Sequence, residues 1–146
     1  MNNQPILLVE DNPDDVMFTL RAFKKNNIGN EIIVATDGEK AIDLLCPEDG
    51  PAPFSPAIVL LDVKLPKLSG IDVLQRIRSD PRTQTLPVIM LTTSSEETDI
   101  VSSYRLGANS FVRKPVDFDA FVHAANVLGV YWLVVNEPAP AWHAGS

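Results

Sequence analysis

Residues 56–70 read PAIVLLDVKLPKLSG, an apolar run that ends on an aspartate and opens into a loop containing proline and glycine. The run over residues 57–61 is apolar at every position and partly β-branched, which is typical of a central strand buried on both faces of a parallel sheet. Pro66 and Gly70 then shape a loop that returns to a helix. Asp62 is therefore predicted at the carboxyl end of the strand, where open α/β sheets place their ligands.

The composition is typical of one globular domain. The 146 residues are enough for one hydrophobic core, and the 45% hydrophobic and 21% charged contents are typical of soluble proteins. No apolar run approaches the ~20 residues of a membrane span, and no basic-then-apolar leader opens the chain. The single cysteine, Cys46, excludes an internal disulfide and suits a reducing compartment, so we expect a cytoplasmic protein with a buried, unreactive thiol.

The charge balance limits the classes of partner. The formal net charge is −7 and the sequence pI is about 4.7. Nucleic-acid-binding proteins normally show a basic face, so this balance argues against direct contact with DNA or RNA. It fits a protein that binds other proteins or a metal cation.

Strand-like and helical patterns alternate along the chain. Strands are predicted at residues 6–9, 31–35, 57–61, 88–91 and 110–113, each followed by a helical pattern, and the last helix runs from about residue 117 into the 130s. This alternation predicts an α/β domain with a (βα)5 doubly wound parallel sheet and right-handed crossovers. We expect one domain over residues 1–146, with a core at about 4–133 and a C-terminal extension at 134–146. No GxGxxG motif follows the first strand, so dinucleotide binding has no support.

Cap and turn residues mark the element boundaries. Asn12 followed by Pro13 predicts the start of the first helix, and Asp37 with Gly38 starts the second. Residues 46–56 hold four of the twelve prolines. Both flanks of that segment belong to the same alternating pattern, so it is predicted to be a surface connection within the domain.

Polar residues follow four of the five predicted strands. Since the carboxyl ends of parallel strands meet at one edge of a sheet, these side chains are expected close together. Any pair of them would be weak evidence, but five at one edge, spaced by whole βα units, indicate a site. They are Glu10, Asp11, Asp62, Thr92 and Lys114.

The chemistry of this set is coherent. Carboxylates ~4 Å apart repel by roughly 4 kcal/mol at an effective dielectric constant of ~20, and a hard divalent cation removes that repulsion. Mg²⁺ takes one or two carboxylates, waters and a phosphate oxygen. An aspartate beside such a cation can attack a phosphoryl group and form an aspartyl phosphate, and Asp62 at the middle of the sheet is the predicted nucleophile. Lys114 can neutralise a phosphoryl oxygen and the Thr92 hydroxyl can donate to another.

The chain resembles the flavodoxin-like receiver domain of bacterial two-component response regulators over about residues 4–133. The matching segments are 9–12 (VEDN), 60–66 (LLDVKLP) with Gly70, 91–93 (LTT), 107–108 (GA) and 111–115 (FVRKP). The resemblance implies that Asp62 accepts a phosphoryl group from a kinase phosphohistidine. It further implies that Glu10, Asp11 and Asp62 hold Mg²⁺ with help from the backbone carbonyl of Lys64. Thr92 and Phe111 would be the switch pair, and the peptide bond between Lys114 and Pro115 would be cis.

A narrower resemblance links the chain to stand-alone regulators that are paired with phytochrome-type histidine kinases. The segments that carry it are 12–16 (NPDDV), 80–81 (DP) and 128–132 (LGVYW). It implies a histidine kinase, of the phytochrome type, as partner and a signalling protein rather than an enzyme. Since no DNA-binding or enzymatic domain follows the receiver, output is expected through protein contacts.

The residues leave other interpretations open. Glu10 and Asp11 could be only a solvated turn. Acids before a helix also stabilise its dipole, which explains Asp14 and Asp15 well but not Lys114 or Asp62. A phosphatase of the haloacid-dehalogenase kind also uses an aspartate after a strand, but it needs a second acid two residues on, where Lys64 stands. A receiver-like module that binds partners without phosphorylation is the remaining alternative. The presence of all five polar residues argues against it.

The last predicted helix has apolar residues on two sides. Phe118, Phe121, Val122, Ala125, Leu128 and Trp132 form the stripe expected to pack on the sheet. On the opposite side lie Val127, Val130, Tyr131 and Val134. A patch of this kind marks an interaction site, and a symmetric homodimer needs only one such patch. The alternative is that the residues after Gly129 leave the helix as an extended arm and cover the patch.

Overall fold

The computed structural model describes residues 4–53, 55–92, 97–114, 117–135 and 139, without the side chains of residues 92, 97, 98, 130, 134 and 135. Within these ranges the strands are β1 (Ile6–Val9), β2 (Ile32–Ala35), β3 (Ile58–Leu61), β4 (Val88–Thr92) and β5 (Ser110–Arg113). The helices are α1 (Pro13–Lys25), α2 (Gly38–Leu45), α3 (Gly70–Ser79), α4 (Glu97–Arg105) and α5 (Phe118–Val130), which continues into a π-helical turn (Tyr131–Val135). The strands form one parallel sheet in the order β2-β1-β3-β4-β5, which confirms the predicted (βα)5 doubly wound fold.

Helices cover both faces of the sheet. In β1, Leu7 and Val9 belong to an apolar cluster with α2 and α3, whereas Ile6 and Leu8 belong to a second cluster with α1 and α5. All four residues of β1 and all four of β3 are buried, as their apolar runs predict. Cys46 is buried in the first cluster, and burial raises the pKa of its thiol. With both faces apolar, polar groups can collect only at the strand ends.

The helix starts follow the capping residues of the sequence. The side-chain oxygen of Asn12 accepts hydrogen bonds from the backbone N–H groups of Asp14 at 2.9 Å and Asp15 at 3.3 Å. Asp37 caps α2 by accepting a 2.8 Å hydrogen bond from the backbone N–H of Lys40, which lowers the pKa of the Asp37 carboxyl. Such caps satisfy N–H groups that the first helical turn leaves free. They also fix the direction in which α1 leaves the edge of the sheet.

An arginine holds the proline-rich connection over residues 46–56 against the domain. Arg82 donates to the backbone oxygens of Pro47 at 2.6 Å and Gly50 at 3.0 Å. Its guanidinium also binds both carboxylate oxygens of Asp80, with Nε 3.0 Å from Oδ1 and Nη2 2.7 Å from Oδ2. These hydrogen bonds hold the pKa of the Asp80 carboxyl below its usual range and raise the pKa of Arg82. The connection is thereby tied to the loop that follows α3.

Helix α5 packs its predicted apolar stripe on the second cluster and stays helical beyond Gly129. Leu133, in the π-helical turn, is also buried. The extended arm considered above is therefore not formed over residues 130–135. On the outer side, Val127 is 55% exposed and Tyr131 48% exposed, as expected for a second apolar face. The side chains of the other two residues predicted there, Val130 and Val134, lie outside the described part of the chain.

None of the helices in the described ranges has the length and the apolar character needed to cross a lipid bilayer.

The ion pair between Asp80 and Arg82 makes stability depend on pH. Because the folded-state pKa of Asp80 is lowered, its contribution is present above the usual aspartate pKa of about 3.9 and is lost as the pH falls through the folded-state pKa. We expect Asp80→Asn to lower the free energy of unfolding at pH 7 by roughly 1 kcal/mol, since water screens the partly exposed Arg82. The difference should narrow between pH 4 and pH 3.

Urea denaturation over this pH range measures the effect. Asp43→Asn, an exposed site on α2, is the matched control and should change stability little at any pH. A loss for Asp80→Asn that is equally large at pH 7 and pH 3 would contradict the assignment to the ion pair.

Candidate functional site

The pairing of β1 with β3 places Glu10 beside Asp62. Val9 and Leu61 are partners in the parallel register, so the next residue of each strand leaves the sheet at the same level. The backbone N–H of Asp62 donates to the carbonyl oxygen of Val9 at 3.1 Å, and this bond continues the strand pairing to Asp62. Two carboxylates thus lie next to each other at the middle of the carboxyl edge.

Three acidic side chains converge at this edge. One oxygen each from Glu10, Asp11 and Asp62 lies within 4.8 Å of the other two. Glu10 is buried, Asp62 is partly buried and Asp11 is exposed, so the cluster opens to solvent on one side. Hard carboxylate oxygens at this spacing fit a divalent cation of the Mg²⁺ or Mn²⁺ type.

The backbone of Lys64 lies next to the Asp62 carboxylate. Its N–H donates to Asp62 Oδ1 at 3.3 Å, and its side chain is exposed. The expected role of the Lys64 carbonyl in holding a metal stays a prediction.

Lys114 reaches the acidic cluster from the end of β5. Its side chain is only 5% exposed, and its Nζ pairs with Glu10 Oε1 in a short contact. The same Nζ lies 3.5 Å from Asp15 Oδ2 and 3.8 Å from Asp62 Oδ2. One ammonium group therefore faces three carboxylates, which places a positive charge directly beside Asp62.

Burial dominates the electrostatics of Glu10. It raises the pKa of the Glu10 carboxyl to about 7, while the hydrogen bond and charge of Lys114 act in the opposite direction and Asp62 raises the pKa further. The carboxyl is only 1% exposed, so its ionised form depends on nearby positive charge. The pocket therefore favours cations at this point.

Asp15 is the site residue that the sequence interpretation did not identify. It was grouped with Asp14 as an acid that favours the helix dipole, which is correct for its position in the first turn of α1. The Asn12 cap gave a signal that this turn starts at the edge of the sheet. Which of the two acids faces Lys114 depends on the rotation of α1, which is set by packing.

The loop after Asp62 depends on Gly70. A Cβ atom at this position would lie 1.9 Å from the carbonyl oxygen of Asp62, which no side chain can tolerate. Gly70 also donates its N–H to the carbonyl oxygen of Val63 at 2.7 Å. The start of α3 is therefore in direct contact with the backbone of Asp62.

The predicted switch residues are described only in part. Thr92 is the last residue of β4 and pairs with Arg113 in the register, but its side chain is outside the described set. Phe111 in β5 is half-buried and packs against the first apolar cluster. Pro115 is also outside the described ranges, and so is the expected cis bond that precedes it.

The family model for the response regulator receiver domain matches residues 6–126 of this chain. The chain therefore belongs to the response regulator receiver family. Receiver domains of this family accept phosphoryl groups, interact with histidine kinases and bind a divalent metal at an acidic pocket. Stand-alone members are signalling proteins.

Curated relatives support the same assignment. The chain is 37% identical over 137 residues to the probable methanogenesis regulatory protein FilR2 of Methanothrix harundinacea, covering 93% of this chain and 88% of that protein. It is 34% identical over 137 residues to the response regulator Rcp1 of Synechocystis, covering 92% of both.

Solved structures agree with the fold and with the narrower resemblance. The phosphorylated cyanobacterial phytochrome response regulator RcpA has a TM-score of 0.86 at 31% identity, over 94% of this chain and 99% of that one. The Mn²⁺-bound form of Rcp1 has a TM-score of 0.82 at 30% identity, with the same coverage. The bacteriophytochrome response regulator RtBRR is 47% identical, with a TM-score of 0.70 over 94% and 84% of the two chains. The chain is thus close to phytochrome-associated response regulators.

Gly70→Ala tests the contact between the start of α3 and the backbone of Asp62. The added Cβ must displace the backbone at Asp62, so we expect the free energy of unfolding to fall by about 3 kcal/mol or more. Gly29→Ala is the matched control, because a Cβ at Gly29 meets no atom within 4 Å. Thermal denaturation compares the two variants, and equal small losses would show that the loop accommodates the methyl group.

Proposed function

We propose that Asp62 is the residue that accepts the phosphoryl group. The observation that carries this proposal is the position of the buried Lys114 ammonium, 3.8 Å from Asp62 Oδ2 and next to the cluster with Glu10 and Asp11. The side chain of Asp62 is partly buried, with 12% of it exposed to solvent, and its backbone N–H is bonded to β1. Proximity of the nucleophile to compensating positive charge is what such a transfer requires.

In the proposed reaction a carboxylate oxygen of Asp62 attacks the phosphorus of a kinase phosphohistidine. A new O–P bond forms, the P–N bond breaks, and its electron pair returns to the imidazole nitrogen, which takes up a proton. Lys114 neutralises one phosphoryl oxygen, and the hydroxyl of Thr92 donates to another. Glu10, Asp11, Asp62 and the carbonyl of Lys64 would hold Mg²⁺, which when bound offsets the negative charge of the carboxylates and the phosphoryl oxygens. The Mn²⁺-bound form of Rcp1 supports a divalent ion in this pocket.

The expected kinase is of the phytochrome type. The similarity to the phytochrome response regulator RcpA and the bacteriophytochrome response regulator RtBRR supports this choice. We further propose that the protein is not an enzyme beyond its own phosphorylation and slow dephosphorylation. The net charge of −7 supports output through protein contacts and not through nucleic acid. A single receiver domain over residues 1–146 in the cytoplasm remains the expectation from sequence.

The proposed switch couples Asp62 to the face formed by α4, β5 and α5. A phosphoryl group adds roughly two negative charges, and Thr92 would move towards it. Phe111 is half-buried beside the first cluster. A change of its side-chain rotamer would let it fill the space that Thr92 leaves. Having no hydroxyl, it reports the change through packing alone.

The proposed homodimer forms through the outer face of α5 and the π-helical turn. Val127 and Tyr131 are four residues apart and both are about half exposed, so they lie together on this face. Val130 and Val134 complete the predicted patch by sequence. A symmetric dimer would bury the same residues of both copies.

Asp62→Asn tests the acceptor. Mass spectrometry after incubation with acetyl phosphate and Mg²⁺ should show one added phosphoryl group on the unmutated protein and none on the variant. Asp43→Asn, at an exposed site on α2, should be labelled like the unmutated protein. Undiminished labelling of Asp62→Asn would refute the assignment, and no labelling of any form would favour a module that acts without phosphorylation.

A double substitution tests the dimer. Val127→Asp with Tyr131→Asp places charge on the proposed interface and should shift the mass in light scattering towards the monomer. Val101→Asp with Tyr104→Asp is the matched control, because these residues are also exposed but lie on α4. An unmutated protein that stays monomeric at high concentration, with and without phosphorylation, would contradict the dimer, as would an equal response of both variants.

A further inference from the structure

Asp15 contacts the ammonium group of Lys114 without belonging to the metal-binding cluster. Its Oδ2 lies 3.5 Å from Lys114 Nζ, whereas the three converging acids of the described structure are Glu10, Asp11 and Asp62. The side chain of Asp15 is 38% exposed and that of Glu10 is 1% exposed. Asp15 therefore pairs with Lys114 from the solvent side of the pocket.

Lys114 pairs with Glu10, one of the carboxylates that would hold a cation. Its Nζ pairs with Glu10 Oε1, while Glu10 Oε2 accepts a 3.4 Å hydrogen bond from the backbone N–H of Asn12. A cation at the cluster therefore competes with Lys114 for Glu10. The displaced ammonium still needs a carboxylate, because a buried charge without a partner is costly.

The backbone of Asp15 is fixed by hydrogen bonds at both its N–H and its carbonyl oxygen. Its N–H donates to the side chain of Asn12 at 3.3 Å, and its carbonyl oxygen accepts a 2.9 Å hydrogen bond from the hydroxyl of Thr19. Thr19 is buried, so the first turn of α1 is anchored on the domain. The side chain of Asp15 therefore leaves a backbone that is anchored at the edge of the pocket.

We propose that Asp15 is a positioning residue that keeps the Lys114 ammonium beside Asp62 when Glu10 binds a divalent cation. The proposal rests on the proposed function, because Asp62 is the acceptor in both. With Asp15 present, Lys114 can leave Glu10 and remain within reach of a phosphoryl oxygen on Asp62. Without Asp15, the carboxylate partners of Lys114 in the described structure both belong to the cluster, and ammonium and cation compete for the same oxygens.

Mn²⁺ binding to the full chain, measured by electron paramagnetic resonance, tests this directly. We expect Asp15→Asn to weaken Mn²⁺ binding about two- to fivefold, the range that a partly exposed ion pair supports. Asp14→Asn is the matched control: it removes the same charge from the same helical turn, and Asp14 also donates its N–H to Asn12. Unchanged binding by Asp15→Asn, or an equal loss in both variants, would overturn the proposal.

A double-mutant cycle with Lys114 separates positioning from charge. In a Lys114→Gln background, Asp15→Asn should have no further effect, because the ammonium that it positions is absent. An equally large effect in that background would mean that Asp15 acts through its charge alone, which contradicts the proposal. Asp15→Glu keeps the carboxylate and should recover part of the lost affinity.

Labelling by acetyl phosphate at saturating Mg²⁺ gives a second readout. Asp15→Asn should still be labelled more slowly than Asp14→Asn, since its defect is in the position of Lys114 as well as in cation affinity. An equal labelling rate for both variants would count against the proposal. If the unmutated protein is not labelled, the proposed function fails, while the Mn²⁺ cycle still decides the role of Asp15.

Discussion

The adjacent carboxylates of Glu10 and Asp62 are the constraint on which the site depends. Parallel pairing of β1 with β3 brings them to the same level of the sheet edge, and burial leaves Glu10 almost no water. Such a pair repels by roughly 4 kcal/mol at ~4 Å and an effective dielectric constant of ~20. The fold tolerates this repulsion because Lys114, at the end of β5, places its ammonium group close to both carboxylates. Sheet order and site chemistry are therefore linked, since β1 and β3 are neighbours in the sheet and Lys114 reaches their carboxylates from the end of the edge strand β5.

The compensation by Lys114 leaves the pocket prepared for a cation. The pKa of Glu10 stays at about 7 although Lys114 opposes the effect of burial, so one ammonium does not fully offset the desolvation. A second positive charge at the cluster would offset the rest of the desolvation of Glu10. Lys114 would then be free to neutralise a phosphoryl oxygen. Asp15 gives that lysine a partner outside the cluster. The pocket can thus exchange partners without leaving a buried charge unpaired.

Away from the site, the side chain of Arg78 fixes the loops that precede β4 and β5. Arg78 on α3 donates to the backbone oxygens of Leu86 at 2.7 Å and Gly107 at 2.9 Å, and to the side-chain oxygen of Asn109 at 2.9 Å. Gly107 has a φ of +91°, which favours glycine, and it follows the end of α4. The segment that follows the C-terminal end of α4 is thereby tied to α3.

The sequence by itself determined the fold and most of the site. Apolar runs that are buried on both faces imply a parallel sheet, and the carboxyl ends of parallel strands lie at the same edge of the sheet. Glu10, Asp62 and Lys114 were identified because each follows such a strand end. Tertiary structure alone decided that Asp15, and not Asp14, contacts Lys114. Strand periodicity fixes the direction of a side chain, but the rotation of a helix on the sheet and the reach of a long lysine are set by packing between distant residues.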